Sequence, residues 1–84
     1  MRDNLEELAL KIIEEAAEVL ETKEILERLE GNIEEITRTK VFARLNNLRG
    51  DGLIRGKFVG PGKGVWIWWS SSFSNGNGNR GEND

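Results

Sequence analysis

Apolar residues recur at helical spacing in the first half of the chain and follow a strand-like pattern after about residue 53. The N-terminal pattern predicts a first helix whose apolar stripe contains Leu5, Leu8, Ala9, Ile12, Ile13, Ala16 and Leu20. Asn4 and Glu7 are spaced as a capping box at the start of this helix. Glutamates occupy its other face, which indicates a solvated surface.

Two shorter helices are predicted next. The second has Thr22 as its expected N-cap, follows the first almost without a loop and ends at Gly31. Segment 32–36 fits either a turn or a single helical turn. The third helix runs from about residue 38 to 49 after the N-cap Thr37. The expected buried positions are Ile25, Leu26 and Leu29 in the second helix and Val41, Leu45 and Leu48 in the third.

Glycine punctuation and β-branched or aromatic residues then predict an antiparallel hairpin, with strands 53–59 and 65–69 and a tip at 60–64. Trp66 and Trp68 alternate with Val65, Ile67 and Trp69, so one of these two sets of side chains faces the helices. The sequence leaves open which set does so. Residues 70–84 are rich in serine, asparagine and glycine, which predicts a disordered tail after a domain at 1–69.

Charge is strongly segregated along this acidic chain. Residues 38–63 contain seven cations and one anion, a net charge of +6, whereas residues 1–37 contain four cations and twelve anions, a net charge of −8. A basic block of this size indicates a polyanionic partner.

The composition argues against enzyme chemistry. Cysteine and histidine are absent, which removes thiolate and imidazole nucleophiles, bases and metal ligands. The glycine-rich loop 60–64 departs from a phosphate-binding P-loop, because lysine stands at position 57 and glycine at position 64. We therefore expect no cofactor, metal or small-molecule substrate. Without a long apolar run or a secretory signal, the expected location is cytoplasmic, in association with the nucleoid.

Three helices followed by a glycine-tipped hairpin resemble the winged helix-turn-helix family. The resemblance rests on segments 23–30 and 37–54 and on the hairpin that ends at Val65 and Trp66, and it covers about residues 5–69. It implies an α+β, mainly α, fold with a C-terminal two-stranded wing. It also implies a double-stranded DNA-binding transcription regulator, with helix 38–49 in the major groove and wing 55–65 on the backbone or minor groove.

A helical wheel with the apolar stripe inward predicts the base-reading side chains of the third helix. These are Arg38, Thr39, Lys40, Ala43, Arg44, Asn46 and Asn47. Arginine can pair with guanine, asparagine with adenine, and a threonine or alanine methyl group can contact thymine. The expected phosphate contacts of the wing are Arg55, Lys57 and Lys63. Folding is expected to gather these cations on one face while the acidic first helix points elsewhere.

Two other interpretations remain open at this stage. Winged helices also serve as protein interaction modules, so the acidic first helix or the tryptophan strand could dock a protein partner or a second copy. Trp66 and Trp68 are candidates for such a surface. They could equally stack on the bases of single-stranded nucleic acid.

Overall fold

The computed structural model describes residues 3–33 and 35–72, which form three α-helices and one three-stranded antiparallel sheet. The elements in chain order are α1 (Asn4–Ala16), β1 (Leu20–Glu21), α2 (Thr22–Glu30), α3 (Arg38–Gly50), β2 (Ile54–Val59) and β3 (Val65–Ser70). The strand order is β1-β3-β2, so β3 is the central strand. The α+β class predicted from the sequence is confirmed, with one more strand than expected.

The additional strand corrects the prediction for Leu20. The sequence pattern assigned this residue to the apolar stripe of the first helix, but α1 ends at Ala16 and Ala17 turns the chain with a left-handed φ of 56°. Leu20 then pairs with Trp68 in antiparallel register and is fully buried. The first two helices are therefore joined by residues 17–19 and a short strand, not by an almost direct connection.

Two helix caps also differ from the prediction. Asp3, not Asn4, caps α1, because its Oδ1 accepts the backbone N–H of Glu6 at 2.9 Å. In α2 the N-cap is Glu21, whose N–H donates to the Glu24 carboxylate at 2.7 Å, and Thr22 lies inside the helix. Both predictions were wrong by one position. In each case the predicted cap, Asn4 or Thr22, directly follows the residue that caps the helix, Asp3 or Glu21.

The third helix begins as predicted. Thr37 Oγ1 accepts the backbone N–H of Lys40 at 3.1 Å and caps α3. The stripe Val41, Leu45 and Leu48 is fully buried, which sets the rotation of the helix. Among the described residues, the buried core lies between the helices and one face of the sheet. Its members are Ala9, Ile13, Leu20, Ile25, Leu29, Val41, Leu45, Leu48, Ile54 and Trp68.

The orientation of the tryptophan strand is set by Gly56, which pairs with Trp68. A Cβ at position 56 would lie 2.6 Å from the Trp68 ring, so only glycine leaves room for the indole. Trp68 faces the helices, and its Nε1–H donates to Thr22 Oγ1 at 2.8 Å. Trp66 lies on the same face, while Val65, Ile67 and Trp69 lie on the opposite one.

This burial corrects one candidate surface residue. Trp68 has no exposed area, so it is unavailable for stacking on a base or docking a partner. Trp66 is half-buried and keeps part of its ring accessible.

The folded region extends past the predicted boundary at residue 69. Ser70 is a buried residue of β3, and Ser71 Oγ donates to the carbonyl oxygen of Gly52 at 2.6 Å. The rest of the predicted tail, residues 73–84, lies outside the described residues. Within residues 3–33 and 35–72, no helix has the length and apolar content to span a membrane.

Candidate functional site

The first two turns of α3 present four side chains to solvent. Arg38, Thr39, Lys40 and Ala43 are all exposed, because the buried stripe of the helix lies on its other side. The sequence-predicted arc of α3 is therefore open at its N-terminal end. This region combines two cations, a hydroxyl group and two methyl groups.

Arg44 is held by a carboxylate from α1. Its Nε–H donates to Asp3 Oδ2 at 2.8 Å, and the Arg44 side chain is 32% exposed. Asp3 therefore uses one oxygen to cap α1 and the other to hold α3. The N–H of Glu6 and, secondarily, the Arg44 guanidinium lower the pKa of Asp3 below its ordinary value of 3.8, so this carboxylate is charged at neutral pH.

A second link of the same kind lies one turn further along both helices. Asn47 Nδ2–H donates to Glu6 Oε2 at 2.9 Å, and Glu6 is 9% exposed. The expectation that the acidic first helix points away from the basic face is therefore wrong at its N-terminus. The first turn of α1 lies along α3 because its N-cap carboxylate and its buried glutamate both have partners there.

Asn46 differs from its exposed neighbours. It is half-buried and lies on the side of α3 that also carries Phe42 and Arg49. That side faces the sheet, because Phe42 packs edge-on against both Trp66 and Trp68 with centroid distances of 5.9 and 5.8 Å. Asn46 and Arg44 are thus the two predicted base-reading residues that are half-buried.

The cations of the hairpin divide between two locations. Lys63 is exposed in the tip between β2 and β3. Arg55 and Lys57 are also exposed, but they alternate with Ile54 and Gly56, which face the core. They therefore extend from the sheet face opposite the helices. This separation corrects the expectation that all the cations gather on one face.

Aromatic rings connect α3 to the sheet. Trp66 stacks on Trp68 with a centroid distance of 5.4 Å and an interplanar angle of 22°. Phe58 contacts Trp66 edge-on at 6.1 Å, and the Arg49 guanidinium lies 5.3 Å from the centroid of the Trp66 ring. Arg49 is thus engaged at the C-terminal end of α3, away from the open first turn.

A groove separates the first turn of α3 from the hairpin. Arg38 and Thr39 line it on the helix side, and Gly64 and Val65 line it on the hairpin side. Arg38 is the cation that lines this groove. Lys40 and Lys63 are exposed, and they directly follow Thr39 and precede Gly64, which line it from the helix and from the hairpin.

Sequence reasoning missed Asp3, Glu6, Thr22 and Phe58 as parts of this region. The pairing of Asp3 with Arg44 spans 41 positions, and no local pattern encodes it. Thr22 was recognised only as a helix start, although it also receives the Trp68 indole N–H. Phe58 does carry a sequence signal, since it is a large aromatic residue close to the glycine-rich tip.

Across residues 3–33 and 35–72 no group of three acidic residues could hold a metal ion. The exposed groups of the open face are cations, hydroxyl groups and methyl groups, which can contact phosphates and base edges. Comparisons with protein-family models, curated proteins and solved structures found no match to this chain.

Proposed function

We propose that this chain is a winged-helix protein that binds double-stranded DNA and acts as a transcription regulator. In this proposal the first turn of α3 enters the major groove, and the β2–β3 hairpin lies against the backbone or the minor groove. The order of three helices followed by a hairpin supports this arrangement through the resemblance described above.

The observation that carries the proposal is the shared groove between α3 and the hairpin. Arg38 and Thr39 border it from the helix, while Gly64 borders it beside the exposed Lys63. Two cationic elements that flank one opening can hold the same strand of a duplex from two sides. The helix itself, Arg38–Gly50, contains no carboxylate, so no charge within it repels phosphate.

The proposed roles follow from exposure and hydrogen bonding. The proposed phosphate contacts are made by three exposed cations, Arg38, Lys40 and Lys63. Thr39 and Ala43 present methyl groups toward the floor of the DNA major groove, where they can contact a thymine methyl group.

In this proposal Arg44 and Asn47 read bases with the polar groups that their hydrogen bonds to α1 leave available. Arg44 reads guanine with its two Nη groups while its Nε stays on Asp3. Asn47 similarly keeps one amide N–H on Glu6 and offers its remaining amide groups to a base. Asp3 and Glu6 then fix the direction of both side chains before DNA arrives.

A titration of random-sequence duplex DNA at low salt tests the proposal. The wild-type protein should bind, and Lys40→Ala should bind more weakly. Lys23→Ala is the matched control, since Lys23 is also an exposed lysine but lies on α2, and this substitution should leave binding unchanged. Undetectable binding by the wild type contradicts the proposal.

The second candidate function is a protein interaction module. It is favoured by the sheet face opposite the helices, where Val65, Ile67 and Trp69 are half-buried and Val59 is 40% exposed. A partner or a second copy could cover these apolar side chains. Failure of the duplex titration, together with a stable homodimer or complex lost on Ile67→Glu substitution, would favour this function.

A further inference from the structure

The groove between α3 and the hairpin has the size and the walls of a small-ligand site. Its volume is about 340 Å³, at the lower end of the range of roughly 300–1,000 Å³ for ligand pockets. Arg38, Thr39, Phe42, Phe58, Gly64 and Trp66 contribute to its lining. Three aromatic rings in one groove exceed what phosphate contacts alone require.

The accessible ring in this groove is Phe58. It is 51% exposed although it is a large apolar residue, and its edge contacts Trp66 at 6.1 Å. Gly64 makes this position possible, because a Cβ there would overlap the Phe58 ring. The glycine also has a positive φ of 65°, which favours it over other residues. The hairpin is thus shaped to leave an aromatic ring at the groove wall.

The charge of the groove restricts its occupant. Arg38 is the lining cation, Thr39 adds a hydroxyl group, and among residues 3–33 and 35–72 no carboxylate contributes to the lining. The next residue before Gly64 is the exposed Lys63. A flat aromatic ligand joined to an anionic group fits this combination, because the exposed Phe58 ring offers a stacking surface and Arg38 offers a phosphate contact.

We infer that this groove binds one unstacked nucleobase of a DNA strand, with the base stacked on Phe58 beside Trp66 and its phosphate near Arg38. The inference rests on the proposed function, because the same strand would pass between α3 and the hairpin. The nucleobase site adds a preference among DNA ligands. The protein binds a duplex with one unpaired base at the site more tightly than it binds the fully paired duplex. An unpaired base enters at a smaller unstacking cost than a paired one.

The test compares three DNA probes of the same flanking sequence. One is fully paired, one has a single unpaired thymine, and one has an abasic residue in place of that thymine. Binding is measured by anisotropy of a label on the DNA, and tryptophan fluorescence is recorded in the same titrations. The wild type should bind the unpaired thymine about fivefold to tenfold more tightly than either other probe. The thymine probe should also quench tryptophan fluorescence more than the abasic probe does.

Two variants and one control locate the effect. Phe58→Ala and Phe58→Leu should both remove the preference for thymine, and the leucine preserves much of the apolar volume. Val59→Ala is the matched control, because Val59 is 40% exposed on the neighbouring position of β2 but faces away from the helices. It should retain the preference.

The outcomes separate this inference from the proposed function. Equal binding of all three probes by the wild type overturns the nucleobase site and leaves duplex binding intact. Binding of the thymine probe alone supports the site and contradicts a duplex regulator. A preference that survives in both Phe58 variants also overturns the site. Binding of no probe contradicts both.

Discussion

Asp3 and Arg44 form an ion pair of 2.8 Å between Oδ2 and Nε that ties the N-terminus of α1 to the middle of α3. The same carboxylate caps α1 through Oδ1. The negative charge therefore stands beside the helix that we propose to contact DNA. It both orients Arg44 and competes with phosphate for it.

Asp3→Asn should raise the affinity for random duplex DNA. Asparagine is as good an N-cap as aspartate, so α1 keeps its start while Arg44 loses its charged partner. We expect an increase of about threefold to tenfold at low salt, because a repulsive charge disappears and a guanidinium becomes free for phosphate. Glu15→Gln is the control, since it removes the same charge from an exposed position on α1. An equal effect of both substitutions would show that only net charge matters.

Thr22→Val should destabilise the fold. The buried Trp68 indole N–H donates to Thr22 Oγ1 at 2.8 Å, and valine has a similar shape but no acceptor. Leaving this N–H without a partner should lower the free energy of unfolding by about 1–3 kcal/mol in urea titrations. Thr22→Ser keeps the hydroxyl group and should cost less. A Thr22→Val protein as stable as the Thr22→Ser protein would show that the hydrogen bond has no net effect.

Gly56→Ala should destabilise the sheet. The added methyl group would lie 2.6 Å from the Trp68 ring, which must then move within a closed core. We expect the free energy of unfolding to fall by about 1–3 kcal/mol, as for other overpacked sites. Gly50→Ala is the matched control, because a Cβ at that helical position meets nothing within 4 Å. It should be neutral or stabilising by up to about 1 kcal/mol.

Lys63→Ala should weaken binding to all duplex sequences by a similar factor. Lys63 is exposed at the hairpin tip, where its proposed contact is a phosphate, which carries no sequence information. The slope of log affinity against log salt should become shallower by about 1. Lys11→Ala removes an equally exposed lysine from α1 and should change neither quantity. A sequence-dependent loss on Lys63→Ala would instead indicate a base contact.

The parts of the fold that local patterns encode could be predicted from the sequence. Thr37 and the stripe Val41, Leu45 and Leu48 together specify where α3 begins and how it is rotated. The two strands of the hairpin follow from alternation around a glycine-rich tip. Their buried face did not follow, because it depends on the fit of Trp68 against Gly56 across the sheet.

The contacts between distant segments could not be predicted. Strand β1 has only two residues, and it forms because Leu20 and Glu21 pair with β3, far along the chain. The candidate site shows the same limit. The wheel of α3 placed Thr39, Lys40 and Ala43 correctly on the exposed arc, but it could not show that α1 supplies a carboxylate to Arg44.

The salt dependence of binding to random duplex DNA tests the central proposal most directly. Arg44 is paired with Asp3, Arg49 lies over Trp66, and Arg55 and Lys57 extend from the opposite sheet face. Arg38, Lys40 and Lys63 then supply most of the phosphate contacts. We predict that log affinity falls against log salt with a slope of about −3 to −4. A slope near zero, or no binding at low salt, would contradict it.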